Sequence, residues 1–324
     1  MIKGFVSVLC GWLLIGAVAT AAPGCDRSCL YQVLDKYLGA LKSGDARKAG
    51  FAPQARTSEN NVLLRPGDGM WGTITSLGDY DLRFADPQAG SVAFYGVIRE
   101  TDTSAPFAVR LTVRGGAITE AETIVARPQE AGVPFVTADL HALPVLNEIV
   151  PEAQRSNRAR MIAIANGYFE TIQRNDGTLH AAFTDDCNRR EDGFQTTNRK
   201  DDTWGDITHL GCGQQFQLGW YKFDDRLRGR RFLVVDRERG LVMAAGFIDH
   251  EGRVGDYKLS DGRTATSRIF RHPHSYCLLE TFKIRGGKIQ QVEAVFTTVP
   301  YNMPSPWEPR TEVAPFPRPS RKLD

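Results

Sequence analysis

The chain has 324 residues, 40 basic and 38 acidic, for a formal net charge of +2. Such a balance gives no electrostatic case for nucleic acid or an anionic membrane surface as a partner. The length is enough for two ordinary domains, each with its own core.

In chain order, Lys3, the apolar run Phe5 to Ala19 and the small residues Ala19-Thr20-Ala21 have the three-part pattern of a secretory signal over residues 1–21. The expected location is secreted or periplasmic, with no membrane contact once the signal is removed. Five cysteines then remain: Cys25, Cys29, Cys187, Cys212 and Cys277. An exported chain permits disulfides, and an odd count leaves a thiol over. Cys187 with Cys212 is the preferred pair. Cys25 with Cys29 requires a helix that starts after Cys29, and Cys277, in an apolar strand, reads as a buried thiol.

The segment after Cys29 places Leu30, Leu34, Tyr37 and Leu41 on one helical face. The same spacing returns at Met161, Ala165, Tyr168 and Ile172, and each helix is expected to lead through a turn into a second short helical stretch. "RTSENN" (56–61) then matches "NRREDG" (188–193), aligning Glu59 with Glu191 and Asn60 with Asp192. "FADPQAGSVAFYGVIRE" (84–100) matches "VVDRERGLVMAAGFIDH" (234–250). "VRLTVRGGAITEAETIV" (109–125) returns within "LLETFKIRGGKIQQVEAVF" (278–296), turn included. Four blocks in one order make a tandem repeat, with extra residues in the second copy around 193–229 and 251–276. Each copy reads as a helix followed by antiparallel strands, an α+β unit. The expected division is domain 1 over 25–127, a linker over 128–150, domain 2 over 151–301 and a Pro-rich tail over 302–324.

The "Y-x-x-A-L…G-D" helix and the closing "V-R-L-T-V-R-G-G-A-I-T-E-A-E-T" hairpin resemble the NTF2-like (SnoaL-like) superfamily. "TSEN…GMWGTI" and "CLLETFKIRGGKIQQVEAVFTTVPY…SPW" look like a group of exported two-copy proteins of fungi and bacteria. The resemblance covers roughly residues 25–310. It implies a cone with a ligand pocket between a concave sheet and its helices. It also implies that the two copies pair as an intramolecular pseudo-dimer, with a homo-oligomer open as a further possibility. It does not select a reaction, because the superfamily holds isomerases, dehydratases, cyclases, lyases and non-enzymatic binders.

The differences between the copies carry the functional expectation. In the closing hairpin Val109, Leu111 and Val113 should face a core, with Arg110, Thr112 and Arg114 toward solvent. The second copy puts Glu280, Phe282 and Ile284 on the core-facing positions. A carboxyl there would have a raised pKa, which suits a general acid or base. Arg99-Glu100 becomes Asp249-His250, of which at most one side chain enters a pocket, His250 by preference. Arg230 or Arg231 could bring a guanidinium inward to stabilise negative charge. His272 and His274 flank Pro273 and read as loop or pocket rim, so no metal is expected, and no cofactor either.

The reading is an exported, cofactor-independent lyase or dehydratase. It would act by proton transfer on a small aromatic or hydroxylated compound, lignin-derived phenolics among the candidates. His250, Glu280, Arg231 and Asp249 are the catalytic candidates; Tyr168, Arg230, Phe282 and Tyr301 would bind substrate. The alternative is a non-catalytic module that binds a small molecule or serves assembly through the same pocket.

Overall fold

The structure, a computed structural model, describes residues 25–128, 135–202, 205–266 and 272–308. The segment expected to be a secretory signal, part of the expected linker and most of the Pro-rich tail lie outside the described residues.

Helix α1 (Arg27–Lys42) begins at Asp26, whose carboxylate accepts from Cys29 N at 2.8 Å, and buries Leu30, Leu34, Tyr37 and Leu41. Seven strands follow: β1 (Phe51–Glu59), β2 (Val62–Leu64), β3 (Ile74–Leu77), β4 (Leu82–Asp86), β5 (Ser91–Glu100), β6 (Thr103–Arg114) and β7 (Ala117–Val125). A short α2 (Pro144–Asn147) leads to α3 (Arg158–Arg174), capped by Asn157 and burying Met161, Ala165, Tyr168 and Ile172. Then come β8 (Phe183–Glu191), β9 (Phe194–Gln195), α4 (Cys212–Leu218), β10 (Arg226–Asp236), β11 (Leu241–His250), β12 (Asp256–Lys258), β13 (Thr264–Thr266), β14 (His274–Arg285) and β15 (Lys288–Pro300).

The main sheets run β2-β1-β7-β6-β5-β3, with β4 also on β5, and β10-β11-β14-β15-β8-β9. The orders superimpose strand for strand: β4 with β10, β5 with β11, β6 with β14, β7 with β15, and β1 with β8. Each has one parallel pair, β1 on β7 and β8 on β15. Both closing hairpins turn on glycines with positive φ, Gly115-Gly116 and Gly286-Gly287, at 57° and 77°, and 58° and 78°. The 193–229 insertion contributes β9 and α4; β12 and β13 form a separate hairpin in the later insertion.

The inner face of each sheet packs on its helix, giving one cluster around Leu34, Tyr37, Phe94 and Val109 and another around Tyr168, Phe169, Phe282 and Val292. The outer faces pack on each other. Tyr80, Phe84, Tyr95 and Val97 of the first half meet Val234, Met243, Phe247, Leu279 and Val295 of the second. The Tyr95 hydroxyl lies 2.9 Å from Thr281 Oγ1, and the Tyr80 hydroxyl donates to Glu293 at 2.7 Å.

This packing corrects one expectation. Arg110 and Thr112, assigned to solvent by strand alternation, are buried, because the face they occupy is covered by the second half. Arg110 donates to Glu122 at 2.9 Å, and Arg231 reaches the same carboxylate across the interface at 3.0 Å. A second correction concerns residues 175–182, which hold no short helix. There His180 N donates to Thr171 Oγ1 at 2.9 Å, drawing the chain back across α3 where Gly167 leaves room for it. A third is at Cys29, which forms a disulfide with Cys25 although it sits inside the first turn of α1, since Cys25 lies outside the helix. Cys187 pairs with Cys212, and Cys277 is a buried thiol. Among the described residues no helix is long and apolar enough to cross a membrane.

Candidate functional site

The inner face of the second sheet carries, in alternation, Tyr276, Leu278, Glu280 and Phe282 on β14, Ile248 and His250 on β11, and Arg189 and Glu191 on β8. Between this face, α3 and the 193–229 insertion lies a cavity of about 240 Å³. Its polar lining includes Tyr168, Arg189, Glu191, Gln215, Tyr221, Asp224, His250 and Glu280, and its apolar walls include Trp220, Phe223 and Phe296.

The corresponding space of the first half is lined by Tyr37, Glu59 and Thr123, the repeat counterparts of Tyr168, Glu191 and Ala294, and measures about 20 Å³. The copies also differ in bulk at matched positions of the inner face. Phe94 and Phe107 stand where the second copy has Ala244 and Leu278, with ring centroids 5.5 Å apart. Met70 N and Arg127 bind Glu59, and Arg127 also holds Glu100, the counterpart of His250.

Two polar centres face the open cavity. Around Glu280, Arg189 is fully buried and donates to Gln215 and Tyr221, to the Tyr168 hydroxyl at 3.3 Å, and lies 3.7 Å from Glu191. Burial pushes the Glu280 carboxyl up to about 8, and the nearby Glu191 charge adds to this; Arg189 and the Tyr168 hydroxyl pull the other way without cancelling it. Glu280 is therefore mainly protonated at neutral pH. Burial works against the charge of Arg189, but Tyr221, Tyr168 and Glu191 outweigh it.

At the second centre His250 Nε2 lies 2.7 Å from Asp224 Oδ1. The His250 ring stacks on His274, with centroids 4.6 Å apart and planes at 6°, and packs edge-on against Tyr276. His250 pairs with His274 and Ala244 with Glu280 across β11 and β14. The two centres are thus six residues apart, roughly 20 Å along the strands. They share one cavity without touching.

Of the residues expected from sequence, His250, Glu280 and Tyr168 line the cavity and the others do not. Asp249 faces the outer side, bound to Arg226, Arg228 and Ser275, because neighbours on a strand alternate. Arg231 goes to Glu122 across the interface. Arg230 pairs with Glu170 on α3, where a bulge in β10 breaks the simple alternation. Phe282 is core, its ring 4.9 Å from that of Tyr168. Tyr301 is partly exposed and donates to Asp225 at 3.1 Å. The guanidinium of the site comes from Arg189 instead. Alternation from Cys187 through Arg189 to Glu191 carried that signal, whereas Asp224 and Gln215, in the insertion, carried none.

The Cys187–Cys212 disulfide ties β8, with Arg189 and Glu191, to α4, with Gln215. The bond closes a separation of 25 residues. Replacing both cysteines by serine is expected to cost about 3.5 kcal/mol by chain entropy, read from urea unfolding, with loosening of this wall of the cavity.

The inner-face helix, the bent antiparallel sheet and the parallel return strand occur in both halves. Both halves are thus one α+β design, a helix on the concave face of a curved sheet. Residues 154–296 match the family model described as "Domain of unknown function (DUF8021)", which spans α3 through Phe296. No curated protein matches. Among solved structures, an NTF2-like protein of unknown function from Cytophaga hutchinsonii is 10% identical over 30% of this chain and 88% of its own, with a TM-score of 0.26. A protein with a cystatin-like fold from Methylobium petroleophilum is 19% identical over 34% and 84%, with a TM-score of 0.29. A third, with a ketosteroid isomerase-like fold, from Catenulispora acidiphila and in complex with trimethylamine, is 14% identical over 28% and 83%, with a TM-score of 0.24.

Proposed function

We infer that the second cone is a proton-transfer site, a lyase or dehydratase acting on a small aromatic or hydroxylated compound. The observation that carries this is the pairing of two carboxyl groups in a largely apolar cavity. Glu280 keeps its proton up to about pH 8 and Glu191 is ion-paired with Arg189. A carboxyl that keeps its proton, facing one held by a guanidinium, supplies an acid and a base to the same cavity. Glu280 gives its proton to a departing hydroxyl while Glu191 takes one from the neighbouring carbon. The C–O bond breaks, a C=C bond forms and water leaves. Arg189 and Tyr168 stabilise negative charge that develops between them, and the His250–Asp224 pair holds the far end of the ligand. The acid and base are side chains, so the step draws on no cofactor.

The first cone is proposed as the structural partner, residues 25–127, and the second, 151–301, as the working unit. Together they form an intramolecular pseudo-dimer through their outer faces. The two disulfides support a secreted or periplasmic location.

The test is a screen of uncharged hydroxylated aromatic compounds for binding and turnover by the wild-type chain, repeated with Glu280→Gln. Binding with no turnover of any member by the wild type would favour the module that only binds. Leu278→Phe copies Phe107 of the closed cone, and is expected to weaken binding at least tenfold by calorimetry while the circular dichroism spectrum stays unchanged.

A further inference from the structure

Asp192 closes β8 one residue beyond Glu191, with no exposed surface and a φ of 45°. Its repeat counterpart, Asn60, has a φ of 49°. The two residues make the same backbone bond: Asn60 N donates to Thr123 O and Asp192 N to Ala294 O, both at 2.9 Å. Their side chains address the same partner as well. Asn60 clasps the Val125 backbone twice, its Oδ1 accepting from Val125 N at 2.8 Å and its Nδ2 donating to Val125 O at 3.1 Å. Asp192 Oδ1 accepts from Phe296 N, the counterpart of Val125 N, at 3.0 Å. Its Oδ2 is buried and has no donor. An ionised carboxylate cannot supply the second bond that the amide makes, and a neutral carboxylic acid can.

We propose that Asp192 is held as a neutral acid whose Oδ2–H donates to the Phe296 carbonyl, completing the clasp that Asn60 makes with an amide. The clasp fixes the end of β8 to β15, where Glu191 stands opposite Ala294 at the cavity wall. Asp192 is thus a positioning residue for Glu191 that works only while it keeps its proton.

The surroundings favour that form. Burial raises the Asp192 carboxyl well above its ordinary value; the hydrogen bond from Phe296 N opposes this without cancelling it, and the charges of Glu191 on β8 and Glu293 on β15 add to the rise. The neighbouring cation, Arg190, is occupied by Glu293 at 2.8 Å. On the remaining side the chain packs closely: Val136 N donates to Asp192 O at 2.9 Å, and a Cβ on Gly193 would lie 1.9 Å from Val136 O. A carboxyl whose folded pKa is raised stabilises the fold fully below its unfolded value, near pH 4, and that stabilisation is lost as pH rises toward the folded value.

The bearing of the clasp on turnover rests on the role proposed for Glu191; the proton itself does not, and is tested without substrate. In full-length protein labelled with ¹³C-aspartate, the Asp192 carboxyl carbon, assigned by its loss in D192N, is expected at the position of a neutral acid at pH 7. Melting curves of wild type and Asp192→Asn should coincide near pH 4. Above it the variant should gain roughly 2–4 °C per pH unit over the wild type. Asp192→Ala, which has neither bond, should melt lower than Asp192→Asn at every pH. An ionised carboxyl signal at pH 7, or wild-type and Asp192→Asn melting temperatures that run parallel from pH 4 to 8, would overturn the proposal.

Discussion

Replacing Glu280 with Gln is expected to lower turnover roughly 10²–10⁴-fold while leaving the fold and ligand affinity nearly unchanged. The asymmetry follows from protonation. Glu280 is already neutral at pH 7, so a neutral amide of the same shape suits its buried site and still bonds to the Tyr168 hydroxyl. What the amide lacks is a proton to give away. The wild-type rate should accordingly fall as pH rises through about 8, where the acid is lost. Steady-state rates and calorimetric affinities across pH 5–9 check both parts. A Gln variant with wild-type turnover would remove Glu280 from the chemistry and leave His250 as the proton carrier to examine.

Glu122→Ala is expected to destabilise the chain by about 3 kcal/mol without changing the chemistry of the cavity. The Glu122 carboxylate is buried where the two outer faces meet and receives Arg110 from its own half and Arg231 from the other. Removing it leaves Arg110, among the described residues, with Glu120 alone as a counter-charge, and it strips Arg231 of the ion-pair partner described for it. Breaking a buried pair costs more than the pair itself contributed, because the desolvated charge stays behind. Urea unfolding measures the loss. Arg231→Ala should behave alike, with reduced stability and unchanged turnover. A stable Arg231→Ala protein without turnover would return that residue to the site.

The sequence by itself determined the architecture. The helical spacing of Leu30, Leu34, Tyr37 and Leu41, its return from Met161 to Ile172, and the paired Gly-Gly hairpins are local signals repeated in order. They depend only on backbone period and turn chemistry, so they survive without knowledge of neighbours. Glu280 was legible for the same reason, since alternation along β14 fixes its face once the apolar set is known, and its mismatch with Val109 marked the second copy. The tertiary structure alone decided the rest. Which face of a strand meets solvent depends on what covers it, and docking of the outer faces buried Arg110 and took Arg231 away from the pocket. Asp224 and Gln215 reach the cavity from an insertion whose path no period encodes. Which cone stays open was decided by volume in three dimensions. The space beside Tyr37, Glu59 and Thr123 measures about 20 Å³ in the first, against about 240 Å³ beside Tyr168, Glu191 and Glu280 in the second.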